Sequence, residues 1–137
     1  DTDIIQGSKN KWKTVTKTKP TNTQLKDLEF AWKAIKHVKS NGILLVKNQS
    51  IVGLGTGQPN RINSIEIAAR VAKEKSIGST LASDAFFPFS DNVQLAHKIG
   101  VKSLIQPGGS IRDDEVIDLA NKLKISMIFT GTRHFKH

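Results

Sequence analysis

The chain of 137 residues contains no cysteine and no tyrosine, and it has only one methionine and four prolines. Without cysteine, neither disulfide bonds nor thiolate metal sites can form. No apolar run approaches the roughly 20 residues that a membrane-spanning helix needs, and no apolar signal segment is visible. These absences predict a soluble, cytoplasmic protein of about one domain, without a membrane partner.

The net charge of +9 is unevenly distributed, because the first 50 residues hold ten lysines against four acidic residues. Residues 1–20 form a lysine-rich arm, which we expect to be partly ordered. The arm has no arginine and one aromatic side chain, Trp12, unlike the interleaved basic and aromatic surfaces of single-strand binders. We therefore expect no nucleic-acid partner, although attraction of anionic substrates stays open. The opening, Asp1-Thr2-Asp3, resembles neither an initiation site nor a helix cap, and suggests a longer protein.

Residues 21–137 alternate between helix and strand patterns. Helices are predicted over 22–39, 60–75, 91–99 and 111–123, and strands over 43–46, 51–54, 79–84, 101–105 and 125–130. Turn residues between the first two strands indicate a hairpin. The later alternation is typical of parallel strands joined by helical crossovers. We therefore predict a three-layer α/β/α domain with a mixed sheet.

Three of the six phenylalanines, Phe86, Phe87 and Phe89, lie between Asp84 and Asp91 in a predicted strand-to-helix connection. Ligands of open α/β sheets bind at the carboxyl ends of the strands, where flat rings beside a carboxylate suit a planar, polar heterocycle. Spacing alone slightly favours the alternative that the rings close the end of the core. The proline and the two acidic residues in this segment favour the ligand-binding interpretation, since rings that only plug the end of the core would need neither.

Two glycine-rich turns follow predicted strands. The first, residues 53–61, has Gln58 where a dinucleotide fingerprint needs its third glycine, and it lacks the lysine of a P-loop. It places Arg61 in the first turn of a helix, where an anion would be favoured, but a tight turn with an exposed arginine is equally consistent. The second, residues 107–112, could bind a carboxylate or amide oxygen through free N–H groups, and Ser110 is most simply an N-cap.

The basic tail, residues 130–137, places Arg133 at the carboxyl end of the last strand, on the same predicted edge as Arg61. Two arginines at one edge would suit a phosphate, although a frayed tail is the usual alternative. The four histidines lack metal-ligand spacing, and the zinc-deaminase motif is absent. We therefore expect no metal site and, in particular, no zinc.

Five segments together resemble one family. They are residues 39–41, 53–61, 83–89, 106–112 and 130–135. In order and in sequence, they are similar to the C-terminal part of the bifunctional purine-biosynthesis family. That family joins aminoimidazole carboxamide ribonucleotide (AICAR) formyltransferase to inosine monophosphate cyclohydrolase. The resemblance extends from about Asp27 to His137.

The resemblance implies transfer of a formyl group from 10-formyltetrahydrofolate to AICAR, with both small molecules as ligands. It implies a formyltransferase region of two subdomains that resemble cytidine deaminase without its zinc, residues 21–137 being the second. It further implies a homodimer that completes the site. The family's Lys-His pair has no counterpart here, since His37 lies in a different context, so a fragment of this extent is expected to be inactive without the rest of the enzyme.

The resemblance also implies roles for individual residues. Those on the nucleotide side are Asn41, Arg61, Phe86 and Arg133, and those on the folate side are Ile62, Phe89, Asp91, Asn92, Ser110 and Ile111. We expect Asn41 to orient the amine or carboxamide of AICAR, and Asp91 to lie near the folate nitrogen that leaves. The alternative is a nucleotide- or nucleic-acid-binding module without catalysis.

Overall fold

The computed structural model describes residues 12–131, and the helices and strands predicted within this range are present. The helices are α1 (Asn22–Ile35), α2 (Arg61–Ala72), α3 (Asp91–Lys98) and α4 (Asp113–Lys122). The strands are β1 (Lys13–Thr14), β2 (Ile43–Lys47), β3 (Ser50–Gly55), β4 (Thr80–Ser83), β5 (Ser103–Gln106) and β6 (Ser126–Phe129). Among residues 12–131, no helix has the length and apolar character that crossing a membrane requires.

Helix α1 ends at Ile35, four residues before the predicted end. Its start agrees with the prediction, because the Thr21 side chain accepts the Gln24 N–H at 3.1 Å and the Gln24 side chain accepts the Thr21 N–H at 2.9 Å. At the other end, the N–H groups of His37 and Val38 bond to carbonyls three residues back. The chain therefore tightens into a turn that the apolar periodicity did not reveal.

The six strands form one mixed sheet in the order β1-β6-β5-β4-β2-β3. Strands β4, β5 and β6 are parallel, whereas β2 is antiparallel to both β3 and β4. Ile43 at the start of β2 pairs with Ser83 at the end of β4 and with Gly55 at the end of β3. The ends of β3 to β6 and the start of β2 therefore lie along one edge of the sheet, which we call the C-terminal rim.

Helices cover both faces of the sheet, which confirms the three-layer prediction. On one face, α1 packs Leu28, Ala31 and Ile35 against the sheet. On the other, α2, α3 and α4 pack over a larger core that includes Leu45, Leu81, Leu104 and Met127. Side chains of successive strand residues point to opposite faces of the sheet. Because both faces are buried, these side chains alternate between the two cores.

A buried carboxylate supports the turn between β2 and β3. Asn48 and Gln49 both have positive φ, at 53° and 58°, as a two-residue hairpin turn of type I′ requires. Asp27 of α1 is buried and accepts the N–H of Asn48 at 3.2 Å and that of Gln49 at 2.7 Å. The hairpin therefore contacts α1 through hydrogen bonds of its turn as well as through its apolar side chains.

Replacing Asp27 should destabilise the protein in a graded way. Asp27→Ala removes the acceptor for both amides and should lower the free energy of unfolding by about 2 kcal/mol, whereas Asp27→Asn retains one acceptor and should lower it by less. Urea unfolding measures both changes. Lys26→Ala, at an exposed neighbouring position of α1, is the control; equal effects at both positions would contradict this role.

Candidate functional site

The C-terminal rim is where most of the predicted site residues lie. The rim includes the segment before β2 and the connections that follow β3, β4 and β5. Arg133 lies outside the described residues, but the described chain ends at this rim: Thr130 N donates to the Gln106 carbonyl at 2.9 Å, and Gly131 N donates to the Pro107 carbonyl at 3.0 Å.

A hydrogen-bond network centred on Arg61 joins three segments of the rim. Its Nη2 donates to Asn41 Oδ1 at 2.7 Å, and its Nη1 donates to the Phe86 carbonyl at 3.1 Å. The other end of the Asn41 amide, Nδ2, donates to the Gln58 carbonyl at 3.0 Å. Asn41, Arg61 and Phe86, which come from different segments, are thus brought together, and these bonds fix the orientation of the Asn41 amide.

Helix α2 lies unusually close to β3, and this approach sets the position of Arg61. A Cβ atom at Gly55 would lie 1.9 Å from the Ser64 carbonyl oxygen, so no larger residue fits there. Ser64, in turn, is buried and donates its hydroxyl to the Asn41 carbonyl at 2.7 Å. Contacts of both the backbone and the side chain therefore hold the first half of α2 against the segment that carries Asn41.

Ser40 and Asp84 provide a second link between the segment before β2 and the end of β4. The Ser40 hydroxyl donates to Asp84 Oδ2 at 2.6 Å, and the Asp84 N–H donates to the Gly42 carbonyl at 3.2 Å. Asp84 is fully buried, and its Oδ1 has no hydrogen-bond partner among residues 12–131. The peptide bond between Ser40 and Asn41 is cis.

The phenylalanine segment divides between the core and the rim. Phe87 is fully buried in the larger core, as the plug interpretation predicted, whereas Phe86 is half-buried and Phe89 is 52% exposed. The buried side chain of Gln106, at the end of β5, accepts the Phe87 N–H at 2.8 Å, and its Nε2 lies 3.4 Å from Met127 Sδ. One polar side chain therefore anchors the backbone between the two rings that face the rim.

Asp91 and Asn92 begin α3 beside the exposed phenylalanine. Asn92 Nδ2 donates to the Phe89 carbonyl at 3.3 Å and to Asp91 Oδ1 at 3.2 Å. Asn92 is buried, and its Oδ1 has no hydrogen-bond partner within the described part of the chain. Asp91 is exposed, so its carboxylate is accessible to a ligand at the rim.

The second glycine-rich turn differs from the prediction. The Asp113 carboxylate accepts the Gly109 N–H at 2.8 Å and the Ser110 N–H at 3.0 Å, so an internal carboxylate already occupies the amides that were expected to bind a ligand. The interpretation of Ser110 as an N-cap is wrong, because α4 begins at Asp113 and the Ser110 hydroxyl accepts the Arg112 N–H. The Asp113 bonds form a separate turn ahead of the helix.

Apolar side chains remain exposed on this part of the rim. Ile111 is 99% exposed, and the Arg112 guanidinium carbon lies 5.2 Å from the centroid of the Phe89 ring, within cation–π distance. Arg112 also pairs with Glu115 at 3.1 Å. Ile62, in the first turn of α2, is half-buried. The rim thus presents apolar surface next to the polar network.

Sequence reasoning missed four residues that position the site: Ser40, Gln58, Ser64 and Gln106. Gln106 had a recognisable signal, because a polar residue follows Leu104 and Ile105 directly before a proline and two glycines. The other three act through contacts with residues distant in the sequence, which no local pattern encodes. Among residues 12–131, no three His, Cys, Asp or Glu side chains are grouped so that they could hold a metal ion.

The close approach of α2 to β3 can be tested at Gly55. Gly55→Ala should lower the free energy of unfolding by about 3 kcal/mol, because the new methyl group would overlap the Ser64 carbonyl and displace the helix. Gly57→Ala is the control. Gly57 has a φ of +68°, and a Cβ atom added there would have no neighbouring atom within 4 Å, so this change should cost only the backbone strain of about 1 kcal/mol. Comparable losses in chemical unfolding would contradict the steric argument.

The anchoring role of Gln106 predicts a loss of stability when its acceptor is removed. Gln106→Leu leaves the buried Phe87 N–H without a partner and should lower the free energy of unfolding by about 1–3 kcal/mol. The matched control is Gln94→Leu at an exposed position of α3, which should change stability by no more than about 0.5 kcal/mol. Denaturant midpoints measure both changes. An unchanged midpoint for Gln106→Leu would contradict the anchoring role of the Gln106 side chain.

Comparison with solved structures bears on the fold. Two structures of RibD from Acinetobacter baumannii, described as form 2 and form 1, superpose with a TM-score of 0.51 in each case, at 15% and 16% sequence identity. The matches cover 76% and 77% of this chain and 33% of each RibD chain. At this identity the likeness shows the fold alone, and it supports the predicted deaminase-like α/β architecture.

Comparison of sequences bears on the family. The chain is 56% identical over 135 residues to the bifunctional purine biosynthesis protein of Dictyostelium discoideum, covering 98% of this chain and 25% of that protein. It is 53% identical to the corresponding protein of Streptococcus mutans, covering 98% and 26%. The chain thus spans about a quarter of the length of these relatives. A sequence profile described as AICARFT/IMPCHase bienzyme matches residues 1–71, more than half of the chain. The chain therefore belongs to the AICARFT/IMPCHase bienzyme family.

Proposed function

We propose that this chain supplies part of an AICAR formyltransferase site in which a formyl group passes from 10-formyltetrahydrofolate to the amino group of AICAR. The observation that carries the proposal is the Asn41–Arg61–Phe86 network at the C-terminal rim, in a member of this family. The product of such a step would be consumed in purine biosynthesis, the process named for the relatives.

The Asn41 amide is suited to orienting a substrate. An Asn side chain has two N–H donors and an oxygen with two lone pairs. One donor and one lone pair are used within the chain, at Gln58 and Arg61. These bonds fix the positions of the amide nitrogen and the amide oxygen of Asn41. The remaining N–H donor and the remaining lone pair could bind the amine or carboxamide of AICAR.

Positioning is the contribution that this reaction needs most. The lone pair of the AICAR amine is delocalised into the imidazole ring and carboxamide, so the amine is a weak nucleophile and must be held close to the formyl carbon. As nitrogen attacks, a base must remove a proton, and the folate nitrogen leaves with the electron pair of the broken bond. We assign Asn41 to orientation of the amine and Asp91 to the side of the leaving nitrogen.

The two ligands would occupy neighbouring parts of the rim. Arg61, with Arg133, would provide the cationic partner for the nucleotide phosphate, next to Phe86. Phe89, Asp91, Asn92, Ser110, Ile62 and Ile111 would line the folate side. The exposed ring of Phe89 offers apolar area for the pterin, and the accessible carboxylate of Asp91 can accept its N–H groups.

The proposal includes partners beyond the small molecules. In this assignment the proton-transfer groups come from the remainder of the bifunctional polypeptide, and a homodimer completes the pocket. The surface that would receive them is available, because Phe89 and Ile111 are exposed in this chain. A fragment of this extent would therefore bind ligands weakly and lack turnover.

Steady-state kinetics on the full-length protein tests the proposal. Asn41→Ala and Asp91→Ala should each lower kcat by about 10²-fold, with a smaller change in KM, because misplaced reacting groups slow the chemical step. Asn22→Ala and Asp118→Ala, at exposed positions of α1 and α4, are the matched controls and should leave both constants unchanged.

The second activity of the bienzyme gives an internal check on folding. Each variant should retain cyclohydrolase activity if only the rim has been altered. Unchanged formyl transfer in both Asn41→Ala and Asp91→Ala would remove these residues from the mechanism. Loss of both activities together would point to a structural defect instead.

A further inference from the structure

Strand β3 forms an exposed edge of the sheet on which two of the usual protective features, charge and proline, are missing. In the sheet formed by residues 12–131, β3 pairs with β2 on one side only and is six residues long. Its sequence, Ser-Ile-Val-Gly-Leu-Gly, contains no charged residue and no proline. Edge strands of natural proteins are commonly short, charged or covered, because their free backbone groups would otherwise pair with other chains.

The opposite edge of the same sheet shows the usual protection. Strand β1 is only two residues long, and it carries the charged residue Lys13. Both of its residues are exposed. The two edges of one sheet therefore differ, and the edge without charge or proline is the longer, apolar one.

Two apolar side chains of β3 lie on the face of the sheet that α1 covers elsewhere. Val46 pairs with Ile51 and Leu45 with Gly53, so Val52 is an extra residue that forms a bulge. Ile51 and Leu54 consequently face the α1 side of the sheet, like their partners Val46 and Leu44.

Those partner side chains are covered, whereas Ile51 and Leu54 are not. Helix α1 packs mainly on β2, β4 and β5, which buries Leu44 and Val46. Ile51 and Leu54, one strand further out, remain 51% and 39% exposed. The apolar face thus continues past the margin of α1 to the edge of the sheet.

We infer that a segment from the remainder of the bifunctional polypeptide packs along β3 and covers Ile51 and Leu54. Relatives that match 98% of this chain devote only about a quarter of their length to it, so most of each relative lies outside the matched region and can supply such a segment. The apolar edge at β3 is a surface whose burial by this segment would be favourable. The inference rests on family membership and on these lengths, and not on the proposed formyl transfer.

Photo-crosslinking in the full-length protein identifies the occupant. With p-benzoylphenylalanine in place of Leu54, the crosslinked product should have the mass of a single chain and join position 54 to a peptide outside this quarter. A product of doubled mass would assign the surface to a second copy of the chain and overturn the inference. A crosslink confined to this quarter, or none at all, would also overturn it.

Hydrogen exchange provides an independent measurement. In the full-length protein, Ile51→Lys and Leu54→Lys should each accelerate amide exchange in residues 50–55 by about tenfold or more, the effect of losing burial of one aliphatic side chain. Ile77→Lys is the matched control, since Ile77 is 62% exposed in this chain yet lies outside β3. Exchange that is no faster in the β3 variants than in the control would show that nothing covers this edge.

Discussion

Arg61 joins three segments of the chain, and the geometry of the C-terminal rim depends on this side chain. It lies at the start of α2, and it binds the Asn41 side chain ahead of β2 and the Phe86 carbonyl after β4. A guanidinium is planar and directs its donors at fixed angles, so two simultaneous bonds fix the relative orientation of their acceptors. The glycine at position 55 is part of the same constraint, because it lets α2 approach closely enough for Arg61 to reach both partners.

The sequence was sufficient to predict the layered fold, because the signals involved are local. The apolar run of β2 is buried on both faces, and the helices show apolar spacing that matches their buried sides. Helix ends were less predictable where side-chain hydrogen bonds to the flanking backbone decided them. Helix α4 begins two residues later than its apolar pattern suggested, because the Asp113 carboxylate draws the preceding amides into a turn.

The site could be predicted in its composition but not in its connections. Position along alternating strands and helices was enough to expect Arg61 and the phenylalanine segment at one edge, whereas Asn41 was expected there only from the family resemblance. The same reasoning could not decide which phenylalanine would enter the core, since Phe87 is buried through a bond to Gln106, 19 residues away. Nor could it show that a carboxylate of the chain itself would fill the second glycine-rich turn. Both outcomes depend on particular side-chain hydrogen bonds, which apolar periodicity does not report: the Phe87 N–H donates to Gln106, and the Gly109 and Ser110 N–H groups donate to Asp113.

The rim combines polar groups that are already engaged with apolar groups that are still exposed, and this combination favours an oriented ligand. Asn41 is held by bonds within the chain, so binding a substrate would need little reorganisation of its amide. Phe89 and Ile111 are exposed, and covering them would supply the non-directional part of the binding free energy. Orientation and affinity would then come from different residues of the same edge. Asn92 bonds to the Phe89 carbonyl and to Asp91, whereas Asn41 bonds to Arg61, so two separate sets of hydrogen bonds hold the apolar and the polar parts of this edge in place.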